Sequence, residues 1–149
     1  MATTYHQMTI GDYDEVMTLW QRTEGMGLGV SDSRENIAVF LARNDGLSRV
    51  ARVDDRIIGA LLCGYDGRRG YLHHLAVAVE HRRQGIARAL VEECLTGLRA
   101  LDISKCNIFV FGENTAAQQF WQHLGWAGRS DLLMMQVELV ETARRGCEC

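Results

Sequence analysis

Residues 82–87 read Arg-Arg-Gln-Gly-Ile-Ala and join an apolar, strand-like run to an amphipathic helix. A helix N-terminus carries backbone N–H groups without helical partners and about half a positive charge. Gly85 has no side chain and Ala87 only a methyl group, so little hinders close approach, while Arg82 and Arg83 add fixed positive charge. The guest that suits such a seam is an anion, phosphate or pyrophosphate first. His73 and His74 stand on the preceding run, and histidine changes charge near neutral pH. Two other phosphate signatures fail. "GMGLG" at 25–29 follows a helical pattern rather than a strand, and its glycine spacing does not fit a dinucleotide fingerprint. No Gly-x-x-x-x-Gly-Lys-Ser/Thr occurs anywhere.

The elements that must position this seam follow from periodicity. A first strand is expected over 4–9, then a helix over 13–22 with Val16, Leu19 and Trp20 inward. A glycine-rich loop follows, and Asp32 with Glu35 reads as a capping box for a helix facing inward through Ile37, Phe40 and Leu41. Strands over 48–53 and 56–65 meet at Asp54-Asp55 as a tight hairpin, and 71–79 is a third strand. Helix 85–101 is the clearest element, with Ile86, Leu90, Cys94, Leu98 and Leu101 on one face. A strand over 107–111, a short helix from Thr115 closed by Gly125, and a last strand over 132–140 complete the order, with one more short strand possible near Trp126. Early hairpins with one helical crossover make the fold class α/β, with a mixed, mostly antiparallel central sheet flanked by helices.

With these elements in place, "LAV" at 75–77 followed by "RRQGIA" at 82–87 resembles the central motif of the GNAT family of N-acetyltransferases. The likeness continues through "NIFVF" at 107–111, Asn114 and "AAQQFWQHLGW" at 116–126, and covers about half the chain. It implies the acyl-CoA N-acyltransferase fold with acetyl-CoA as co-substrate. It also implies that the pyrophosphate meets the segment from Arg82 through Arg83, Gln84, Gly85 and Ile86 to Ala87. Leu75, Ala76 and Val77 would then offer their backbone to the pantetheine arm, Asn114 would hydrogen-bond it, and Trp121 would lie beside the thiol end. Two positions depart from the pattern. Val79 stands where proline is usual, and Trp121 stands where many relatives have a tyrosine that protonates the departing thiolate. Indole donates a hydrogen bond but is no practical acid.

Acetyl transfer to an amine needs a base, because an ammonium is not a nucleophile. His73 shares a strand face with Tyr71 and Leu75 by alternation. A histidine at the same place relative to "LAV" occurs in aralkylamine acetyltransferases, which "LHHLAV" resembles. Tyr71, at the position of a glutamate in histone-type relatives, and Glu24, at the edge of the glycine-rich loop, are the other candidates. A strand N–H near Ala76 or Val77 suits the oxyanion. The alternative to an enzyme is a non-catalytic acyl-CoA-binding or interaction domain of the same fold.

The chain has 149 residues, enough for one domain with a real core, and a loose tail is expected over 141–149. A formal net charge of −3 argues against a nucleic-acid surface. No apolar run approaches the ~20 residues that span a bilayer, and no signal peptide opens the sequence, so a cytoplasmic protein is expected. Cys63, Cys94 and Cys106 read as small buried thiols, and Cys147 and Cys149 form a Cys-x-Cys without a second ligand pair, so no metal site is expected. The expected partner is an amine, on a small molecule or a protein. Pairing of two copies through the last strand is left open.

Overall fold

From 57 to 64 every residue is buried, the mark of a strand covered on both faces. A computed structural model describes residues 2–140 and shows what covers it. The chain divides into two compact units, Met1–Thr115 and Ala116–Cys149. In the first, β1 (Thr4–Gln7) leads through a 3-10 turn to α1 (Tyr13–Gln21), and a second 3-10 turn (Val30–Asp32) leads to α2 (Arg34–Arg43). Then come β2 (Arg49–Val53), β3 (Arg56–Tyr65), β4 (Gly70–Val77), α3 (Ile86–Ala100) and β5 (Cys106–Ile108). The sheet runs β1-β2-β3-β4-β5, antiparallel except for the parallel pair β4–β5 that the α3 crossover permits. Asp54 and Asp55 both take left-handed backbone at the β2–β3 turn, matching the twist of a tight hairpin.

One face of the sheet receives α3 through Ile86, Leu90, Val91, Cys94 and Leu98. The approach is close at Gly70, where an added Cβ would lie 2.5 Å from Leu98 Cδ1. The other face packs Ile57, Ala60, Leu62 and Ala76 against Val16, Leu19 and Trp20 of α1 and Ile37 of α2. Burying an aliphatic or aromatic side chain of this kind contributes about 1.5–3 kcal/mol. Cys63 and Cys94 are fully buried and Cys106 partly so, all as free thiols. Burial pushes the Cys106 thiol up to about 12, which keeps it protonated and inert.

Several boundaries differ from expectation. β1 ends at Gln7 because Thr9 N–H turns to Asp12 Oδ2 at 2.9 Å and caps the 3-10 turn. The N-cap of α2 is Ser33, whose hydroxyl accepts from Asn36 N–H, because the carboxylate of Asp32 is engaged elsewhere. β5 is Cys106–Ile108 rather than 107–111, since parallel pairing with β4 stops at Ile108.

In the second unit α4 (Thr115–His123) ends as expected at Gly125, which is left-handed, with Trp126 N–H bonded back to Trp121 O at 3.0 Å. The strand expected over 132–140 is absent, and so is one near Trp126. Leu132, Leu133, Met134, Met135, Val137, Leu139 and Val140 are exposed there. Apolar composition supplies no ladder partner, and "LLMM" has no alternation to select a face. The tail over 141–149, with Cys147 and Cys149, lies outside the described residues. Among the described residues no helix is long and apolar enough to cross a membrane.

Candidate active site

The register of β3 and β4 slips once. Ala60 pairs with Ala76 and Leu62 with His73, so Leu61 alone faces both His74 and Leu75. This is a β-bulge, and His74 occupies it with φ +57°. The extra residue breaks the alternation, and both imidazoles turn toward the α1–α2 side. His73 meets Phe40 of α2 edge-on at 6.1 Å, and His74 meets Trp20 of α1 at 5.0 Å. Trp20 Nε1 also donates to His74 O at 3.1 Å, which anchors the bulge.

The two rings have different surroundings. His74 Nε2 lies 2.8 Å from Asp32 Oδ1 on the turn before α2. Asp32 is buried and fully used: Oδ2 accepts from Gly29 N–H at 3.0 Å, and its carbonyl accepts from Tyr13 Oη–H at 2.6 Å. Burial, then the Asp32 charge, raises the Tyr13 pKa and keeps that phenol a donor. Among the described residues His73 has no carboxylate partner. Its ring lies near-parallel to Tyr71 and Phe109, at 6.4 Å from each. Burial holds its pKa below the ordinary value, the neighbouring His74 adds to this, and Asp32 opposes it.

Beside these rings the sheet opens. β4 pairs with β5 only over Gly70, Tyr71 and Leu72, so from His73 to Val77 that edge of β4 has no strand partner among the described residues. Leu75, Ala76 and Val77 therefore stand on an open edge, and Arg82 Nε closes back onto Val77 O at 3.0 Å. The chain then turns through Arg83 at φ +64° and Gly85 at φ +79° into α3. The first helical bond runs from Ala89 N–H to Gly85 O, so the N–H groups of Ile86, Ala87 and Arg88 precede the ladder. Ile86 is buried and anchors the helix start, while Arg82, Arg83, Gln84 and Gly85 are exposed. A Cβ added at Gly85 would meet nothing of the protein within 4 Å. The protein thus leaves open space in front of the Gly85 backbone.

The remaining candidates scatter. Asn114 approaches the glycine-rich loop, its Nδ2 3.1 Å from where a Cβ on Gly25 would stand. Glu24 is exposed in the turn after α1, and among the described residues no hydrogen bond or ion pair joins it to Tyr71, His73 or His74. Trp121 belongs to the second unit, buried with Phe120 and Trp126 edge-on at 5.1 and 4.8 Å. Sequence reasoning missed Asp32 and Phe109 as members of this cluster. By spacing Asp32 reads as a helix cap, and nothing local pairs it with a histidine 42 residues away.

A mixed sheet whose fourth and fifth strands part beside a helix N-terminus is the acyl-CoA N-acyltransferase fold. Ard1 from Thermoplasma volcanium shares it with a TM-score of 0.77 at 18% identity, over 87% of this chain and 86% of that one. PaiA N-acetyltransferase from Thermoplasma acidophilum, solved in complex with coenzyme A, superposes with a TM-score of 0.72 at 17% identity over 83% and 89%. A model of the Acetyltransferase (GNAT) family matches residues 13–126. An acetyltransferase of Sodalis glossinidius is 32% identical over 130 residues, 87% of this chain and 91% of that protein. The chain belongs to the GNAT acetyltransferase family: it is an N-acetyltransferase with acetyl-CoA as its co-substrate.

Proposed function

We propose that acetyl-CoA binds along the open edge of β4, with its pyrophosphate on the N–H groups from Arg83 to Ala87 and its pantetheine beside Leu75, Ala76 and Val77. The parting of β4 from β5 after Leu72, directly upstream of the α3 N-terminus, carries this reading. Asn114, beside Gly25 of the glycine-rich loop, would hydrogen-bond the pantetheine. When bound, acetyl-CoA supplies an activated acetyl carbon. The protein holds the donor, aims a strand N–H at the carbonyl oxygen, and frees the amine of a proton. That proton acceptor comes from the histidine pair on β4, since Tyr71 lies beyond His73 and Glu24 stands apart.

The acceptor amine approaches from the α1–α2 face, where the rings of Tyr71, His73 and Phe109 form a flat wall. Phe109 is 59% exposed, so this wall suits an amine carried on a planar or apolar body. The cytoplasm is the compartment we assign, in keeping with the free thiols of Cys63, Cys94 and Cys106.

Acetyl-CoA at a hundredfold excess over its dissociation constant stabilises the native state by about 2.7 kcal/mol. For a chain of this size the melting temperature rises by roughly 5–10 °C. ATP and NAD at equal concentration produce no such rise. A larger shift with either nucleotide would overturn the cradle assignment. An amine panel read by mass spectrometry then tests transfer itself, and arylalkylamines should lead it.

A further inference from the structure

We infer that His74, positioned by Asp32, is the base that takes the proton from the acceptor amine, and that His73 serves as part of the acceptor wall. The inference rests on the N-acetyltransferase reading and adds to it a named proton acceptor and a positioning carboxylate.

A carboxylate only accepts hydrogen bonds, so the 2.8 Å contact assigns the neutral ring's proton to Nε2. Nδ1 then keeps its lone pair, and no protein partner is recorded for it among the described residues. Asp32 cannot rotate away, because Gly29 N–H holds its second oxygen. The charge that develops on the ring as it accepts a proton therefore faces a fixed, buried carboxylate. The His74 side chain is 19% exposed, enough for contact with a small amine or one bridging water.

The backbone agrees. A non-glycine residue in the left-handed region carries a conformational cost. That cost is borne at His74, where Trp20 Nε1 and Asp32 hold the carbonyl and the ring. His73 has neither device and is flanked by rings.

In the transfer one amine N–H bond breaks and its proton goes to His74 Nδ1. The freed pair on nitrogen forms the C–N bond to the acetyl carbon. The C–S pair leaves with sulfur, which takes up the second proton released by the nitrogen. His74 returns its proton to solvent, so one proton is released per ammonium acetylated.

The titratable and charged groups around His74 are Asp32 on the turn, His73 and Tyr71 on β4, and Tyr13 at the start of α1. Asp14 of α1 and Glu35 and Arg34 of α2 act in turn on Tyr13.

The test uses 2-phenylethylamine as probe acceptor with thiol release as readout. Asparagine tolerates left-handed backbone, so His74→Asn removes the ring while keeping the bulge. It should lower kcat/KM by about 100-fold or more near pH 7, with a smaller loss as pH approaches that of free amine. His73→Gln should lose less, mainly through KM. Asp32→Asn should fall between them, and Asp32→Glu should recover part of its loss. A His74→Asn variant as active as wild type, a deeper loss in His73→Gln, or an Asp32→Glu variant no better than Asp32→Asn would each overturn the inference. Wild-type protein that acetylates no amine of the panel would instead overturn the function on which it rests.

Discussion

Trp20 and His74 meet twice: the indole N–H donates to the histidine's carbonyl at 3.1 Å, and the two rings pack edge-on at 5.0 Å. Helix α1 therefore holds the bulge of β4 by its backbone as well as by its side chain. Trp20 is fully buried, so its indole N–H depends on this one protein acceptor. Trp20→Phe keeps most of the apolar volume and leaves His74 O without its donor, at a cost of about 1–3 kcal/mol. We expect kcat to fall while acetyl-CoA affinity holds, because the bulge and the anion cradle are anchored separately. Urea unfolding and calorimetric titration of the variant measure the two quantities. An equal loss of coenzyme affinity would contradict that separation.

At Gly85 the protein itself leaves open space in front of the backbone. A side chain there therefore opposes only a ligand and the left-handed backbone. Gly85→Asn accepts that backbone readily, whereas Gly85→Glu adds length and a negative charge. Both should fold, and the glutamate should weaken acetyl-CoA binding far more than the asparagine does. Calorimetry decides the matter: glutamate with wild-type affinity would remove the pyrophosphate from this seam.

His73 makes stability depend on pH. Its native pKa lies below the ordinary 6.5, chiefly through burial. As pH falls below 6.5 the unfolded chain binds a proton that the native ring still refuses. Stability therefore declines through that window and levels off only below the native value. His73→Gln should reduce the drop in melting temperature between about pH 7.5 and about pH 5.5. Parallel wild-type and mutant profiles would show that the ring titrates alike in both states.

Much of this was legible from local pattern. The Asp54-Asp55 hairpin, the apolar face of α3 and the turn into it at Gly85 each depend on residues near one another in the chain, and the structure has all three, except that Leu101, expected on the inward face, lies past the end of α3 and is exposed. Asp32 shows where legibility stops. Its spacing to Glu35 imitates a capping box, yet the side chain bonds to Gly29 and His74, a choice made by packing of the turn against β4. The bulge was equally hidden, because alternation alone would set His73 and His74 on opposite faces. The apolar run over 132–140 was misread for the opposite reason, since composition proposed a strand that no neighbour completes.

The slip opposite Leu61 also bears on how this chain tolerates changes of length. Within β4, His73 and Ala76 lie three apart and still face the same side, because the stretch between them holds one residue more than its partner strand requires. His74 is that surplus residue. Loss of its single codon would leave an ordinary strand in which Leu75 faces Leu61 and the pairs Leu62–His73 and Ala60–Ala76 are kept. The flanking β4 residues would keep their partners, while Trp20 Nε1 and Asp32 would each lose the contact His74 provides. The proposed base is thus an insertion that the sheet does not need, and the scaffold can exist with or without it.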